Sequence, residues 1–100
     1  MNPELRGLAG LDRMIHEPGR LLVVALLACV KECDFLYLLN QTQLSKGNLS
    51  SHLAKLEEAG YVQLTKGFRG KIPQTLIALT EAGRSAYEQY RKTMSAVLGG

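Results

Sequence analysis

Tryptophan is absent from this chain of 100 residues, phenylalanine occurs twice, and cysteine and histidine twice each. Cys29 and Cys33 match no recognised zinc spacing, and His16 and His52 lie far from them along the chain. No metal site or disulfide is therefore expected, and both thiols should be free and buried in a reducing compartment. Long hydrophobic runs are missing too. The longest, residues 21–30, is half of the roughly twenty residues a membrane span needs, so it reads as a core helix. Residues of both charge signs precede it and "KECD" follows it, which argues against a secretory leader; a cytoplasmic protein with no membrane segment is expected. No paired acids, nucleophile-base set, glycine-rich phosphate loop or metal-ligand spacing occurs, so neither an enzyme nor a cofactor is expected. A chain of this length supports one domain, residues 1–100, around one core.

Acidic residues are scarce in one place. Between positions 46 and 71, Lys46, Lys55, Lys66, Arg69 and Lys71 are offset only by Glu57 and Glu58, while charges elsewhere cancel; the whole net charge of +3 sits in that segment. Such a cluster is either a solvated face or a surface for a polyanion.

What is present is mostly helical periodicity. Leu5, Leu8, Leu11 and Ile15 recur every three or four residues, predicting an amphipathic helix over about 4–15 that stops before Pro18. Pro18 opens a second helix, apolar on all sides through residues 21–30. Asp34 caps a third helix from Phe35 to about Gln41, and Ser45 caps a fourth over 45–59 that closes at Gly60. The period then falls to two: Tyr61 to Thr65 reads as a strand, residues 67–73 as a basic loop, and residues 75–79 as the return strand. Thr80 caps a last helix over about 81–98. The fold expected is mainly α with a small β-hairpin, in the order α-α-α-α-β-β-α.

The fourth helix has an unusual outer face. With Leu49, Leu53 and Leu56 forming the buried stripe, Gly47, Ser51 and Ala54 lie opposite, flanked by Asn48 and Lys55. Ala, Glu or Lys would hold such a face together better. A helix that must bring its backbone close to base edges in a major groove has the opposite need: a slim centre with short polar groups around it.

The chain carries "LDRMIH" at 11–16 with Pro18 and Arg20, Phe35 in "DFLYLL", "KGNLSSHLAKLEEAGYV" at 46–62, "GFRGKIPQT" at 67–75 and "LTEAGR" at 79–84. Their order and spacing give it a resemblance to the winged-helix transcriptional regulators of the MarR/ArsR-like group, in particular the small single-domain prokaryotic type. It implies a winged helix-turn-helix acting as a homodimer on double-stranded DNA, with the helix over 45–59 in the major groove and a wing over 66–74 on the backbone or minor groove. Mapped onto this sequence, Ser45, Lys46, Asn48, Ser50, Ser51 and Lys55 would meet the groove or phosphates, and Lys66, Arg69 and Lys71 would act from the wing. His52 would reach a phosphate or a neighbouring helix. The sequence departs from the pattern at Gln43, where such turns often have Gly, and at Ile72, where the wing often has another base; a weaker wing grip is expected.

Leu5, Leu8 and Ile15 near one end and Tyr87, Tyr90, Met94 and Val97 near the other offer more apolar surface than a small core hides, so the terminal helices are expected to pack across a two-fold axis. Some relatives sense a small-molecule effector beside that joint, although no polar cluster here marks a pocket. The rival reading is a winged helix used for protein-protein interaction; clustered cations beside small polar groups favour DNA.

Overall fold

This computed structural model describes residues 10–99, and Glu17 and Pro18 start the first helix among them. Glu17 is the N-cap of α1 (Pro18–Ala28): its carboxylate accepts the N–H groups of Gly19 at 3.0 Å and Arg20 at 2.7 Å, and Pro18 stands where a missing N–H is harmless. Burial pushes the Glu17 carboxyl up. The two amides, with the charges of His52 and Arg20, outweigh that and hold its pKa below the ordinary value. The first half of the helix expected over 4–15, Leu5 and Leu8 included, lies outside the described residues. Its end departs from expectation, because residues 10–17 form turns and bends. Asp12 Oδ1 accepts from the N–H of Met14 at 2.8 Å and of Ile15 at 3.3 Å, giving the backbone an alternative to helical bonding.

From α1 onward the elements follow the expected order, with one short strand added. β1 (Cys33–Asp34) precedes α2 (Phe35–Thr42), which Asp34 caps by accepting the Tyr37 N–H at 2.8 Å. The two cysteines do not share a helix face, and they are not both buried: Cys29 is the exposed C-cap of α1 and Cys33 sits half-buried in β1. Both are free. Burial, with the neighbouring Asp34 charge, raises the Cys33 thiol pKa.

Residues 43–45 join α2 to α3 (Lys46–Glu58), the fourth helix of the expected order. Gln43 adopts the left-handed region at φ +59° where glycine is the commoner choice, and its side-chain amide donates to the Asn40 carbonyl at 2.6 Å. Ser45 Oγ accepts the Asn48 N–H at 3.1 Å and so caps α3. At the other end Gly60 takes φ +81°, with Gly60 N–H to Glu57 O and Tyr61 N–H to Leu56 O both at 2.9 Å, a Schellman closure.

β2 (Val62–Arg69) and β3 (Ile72–Leu79) pair antiparallel from Val62 with Leu79 to Arg69 with Ile72, and β1 lies on the other side of β3. The loop expected over 67–73 is really a two-residue turn of Gly70 and Lys71, with Gly70 at φ +64°. Gly67 and Pro73, which suggested a loop, lie within the strands. Pro73 is tolerated because β1 pairs only with Leu76 and Ile77, leaving β3 with a single neighbour at Pro73.

Thr80 caps α4 (Glu81–Leu98), accepting the Gly83 N–H at 3.0 Å while donating to the Gly60 carbonyl at 2.6 Å. The core joins Val23, Val24 and Leu27 of α1, Leu38 of α2, Leu49, Leu53 and Leu56 of α3, and Val62, Ile77 and Leu79 of the sheet. Among the described residues no helix is long and apolar enough to cross a membrane.

Candidate nucleic-acid interface

Burying the stripe of Leu49, Leu53 and Leu56 turns the opposite side of α3 to solvent. Gly47, Asn48, Ser50, Ser51, Ala54 and Lys55 are all exposed, as are Ser45 and Lys46 at the N-terminal end. Among the described residues, nothing beyond its chain neighbours and its own helix backbone comes within 4 Å of where a Gly47 β-carbon would stand. Gly47 therefore does not make room for any described part of the protein, and the face around it is open. Ser45 Oγ is committed as an acceptor, but its O–H remains available as a donor beside the first free N–H groups at the positive pole of the helix.

His52 stands apart from this set. Its ring is half-buried against the start of α1, with Nδ1 3.6 Å from Glu17 Oε2 and 3.5 Å from Arg20 Nη1. A β-carbon on Gly19 would collide with the same ring. Nδ1 thus faces a neighbouring helix, one of the two surroundings expected for it from sequence. Arg20, in turn, donates from Nε to the Met14 carbonyl at 2.7 Å, so α1, α3 and the turns before α1 are tied at one point.

The hairpin carries no acidic residue along β2, the turn and β3. Its register sorts the cations. Cross-strand partners share a face and alternate along each strand, so Lys66 with Thr75 and Phe68 with Pro73 lie on the face that continues into Val62, Ile77 and Leu79. Arg69 with Ile72 lies on the other face, and Lys71 is in the turn. The structure adds Phe68, 73% exposed, to this surface, and leaves Ile72, which stands where another base was expected, 69% exposed. Strand alternation carried through Gly67 and Pro73 would have found Phe68.

The turns before α1 also bond to the strand entrance and to α4. Tyr61 O–H donates to Asp12 Oδ2, and that bond, helped by burial and the carboxylate charge, pushes the Tyr61 pKa up to about 12. His16 Nδ1 and Tyr90 Oη lie 2.8 Å apart, and Tyr90 is only 7% exposed. Ile15 is fully buried. These two side chains, expected at a dimer joint, thus face their own protomer, while Tyr87, Met94 and Val97 are half-buried. Among the described residues no three His, Cys, Asp or Glu side chains gather to hold a metal ion.

A helix-turn-helix with one helix face left open, followed by a sheet that ends in a basic hairpin, is a winged-helix domain. The chain belongs to the family described as winged helix DNA-binding domain, whose model matches residues 20–98. An uncharacterized protein of Methanocaldococcus jannaschii is 40% identical over 79 residues, covering 78% of this chain and 85% of that one. The transcriptional regulator homologue protein from Pyrococcus horikoshii OT3 superposes with a TM-score of 0.89 at 25% identity, over 95% of this chain and 96% of that one. NadR in complex with 4-hydroxyphenylacetate gives a TM-score of 0.73 at 24% identity, over 91% of this chain and 64% of that chain, a likeness of fold. Family and fold are those of DNA-binding regulators and point away from an enzyme.

Proposed function

We propose that the protein is a sequence-specific transcriptional regulator of the MarR/ArsR-like kind that binds double-stranded DNA as a homodimer. α3 lies in the major groove and the hairpin on the backbone or minor groove. The observation that carries this is the open, small-residue face of α3 beside an acid-free hairpin. Asn48, Ser50 and Ser51 supply donors and acceptors for base edges; Ser45, Lys46 and Lys55 meet phosphates; Lys66, Arg69 and Lys71 grip from the wing. His52 acts from behind, holding α3 against α1. One protomer offers few base contacts, so two copies would read half-sites about 34 Å apart. α4 supplies the joint through Tyr87, Met94 and Val97, with Leu98, which is 76% exposed, at its end.

A salt titration of a duplex selected from a random library tests this. If each protomer neutralises about three phosphates, log K should fall with log salt at a slope near −5 for the dimer, by the counterion rule. Arg69→Ala should weaken binding alike on all sequences, whereas Asn48→Ala should alter which bases are preferred. A flat salt response would contradict DNA binding, and uniform loss for Asn48→Ala would contradict groove readout by that residue.

A further inference from the structure

A leucine stripe buries a helix without fixing its roll. Leu49, Leu53 and Leu56 give α3 an apolar seat on which it can turn slightly at little cost, because such contacts have no direction. Reading base edges demands more, since a small roll carries the side chains of the outer face out of hydrogen-bonding range. Among the described residues, one side chain of α3 makes a polar contact with another element, and it is His52.

The start of α1 is built around that ring. Glu17 is an uncommon N-cap, a place where Asp, Ser or Thr would bond the amides from a shorter side chain. Its extra length lets Oε1 hold Gly19 and Oε2 hold Arg20 while Oε2 also stands 3.6 Å from His52 Nδ1. Gly19 leaves room for the ring where any β-carbon would collide with it. Arg20 is anchored through Nε to the Met14 carbonyl, which leaves Nη1 3.5 Å from the same Nδ1. One ring nitrogen is thus held between an acceptor and a donor, and the ring plane rests on bare backbone. Resting on the DNA-binding reading, we infer that His52 is a positioning residue for base readout: held by Glu17 and Arg20 and seated on Gly19, it fixes the roll of α3, and sequence discrimination depends on it although it touches no DNA. Affinity for phosphates, which tolerates a small roll, does not depend on it.

The test uses the full chain, a library-selected duplex and a scrambled duplex of the same composition, and reads the ratio of the two affinities. His52→Leu keeps an apolar body but no polar atom; its ratio should fall about tenfold, the scale of one lost base contact, with affinity for the scrambled duplex and the salt slope unchanged. His52→Asn places a polar atom where Nδ1 stands and should keep most of the wild-type ratio. Gly19→Ala changes nothing on α3 itself, yet it displaces the ring and should lower the ratio in the same way, so it decides the matter even where His52→Leu folds poorly. Urea unfolding of each variant separates these effects from a loss of folded protein. A wild-type ratio in His52→Leu or in Gly19→Ala overturns the inference while DNA binding stands. Equal losses on both duplexes with a shallower salt slope overturn it too, and make His52 a phosphate contact. A wild type that binds no duplex removes the DNA reading, and this inference with it.

Discussion

Gly83 lies directly against the backbone carbonyl of Tyr61, with no room between them for a β-carbon. The contact follows from how α4 starts: Thr80 N–H donates to that same carbonyl at 3.0 Å, so the first turn of the helix is drawn down onto the strand entrance. In most helix interiors Gly→Ala stabilises. Here Gly83→Ala should destabilise by about 2–3 kcal/mol, because backbone rather than a movable side chain is in the way. Urea unfolding reads this directly, and a stabilised variant would contradict the packing.

Gln43 should behave in the opposite sense. It holds φ +59° at the end of α2, a region that strains any L side chain. Gln43→Gly removes the strain but also the bond to the Asn40 carbonyl and some unfolded-state order. The net should be a gain of about 0.5–1 kcal/mol in stability with DNA affinity unchanged, measured by urea unfolding and a binding isotherm on the same preparations.

The bond from Tyr61 to Asp12 sets an alkaline limit. A phenol pKa raised to about 12 means the folded state favours the protonated form relative to the unfolded chain. That stabilisation is fully present below the unfolded value near pH 10 and is lost as pH rises through the folded value. Asp12→Asn should bring the Tyr61 titration down toward 10 and flatten the loss of stability above that pH. Phenolate absorbance during an alkaline titration distinguishes the two proteins; identical curves would contradict the assignment of the shift to Asp12.

The helical caps were legible because they are local. Asp34, Ser45 and Thr80 each bond an amide within their own first turn, and Gly60 answers a conformational demand at its own position. The buried stripe of α3 was legible because leucine spacing alone defines it. What escaped depends on distant partners. Asp12 diverts the backbone before α1, and β1 is strand only because Cys33 and Asp34 find Ile77 and Leu76. The full length of the hairpin escapes a sequence reading, since Gly67 and Pro73 break strands in isolation but here pair with Gln74 and Phe68 across the ribbon, with the other edge of β3 open at Pro73. The positions of the His52 and Tyr90 side chains depend on Glu17, Arg20 and His16, contacts no spacing rule reports.

The central claim is that the face of α3 around Gly47 is bare because DNA comes close to it. Gly47→Leu tests it most directly, since nothing within the described residues lies near enough to obstruct the new side chain. Helix propensity predicts a protein as stable as the wild type or more so, by about 0.5–1 kcal/mol. Affinity for a library-selected duplex should nevertheless fall by about tenfold or more, as a bulky group holds the helix off the base edges. A Gly47→Leu protein that folds and binds the duplex as tightly as the wild type would contradict the account.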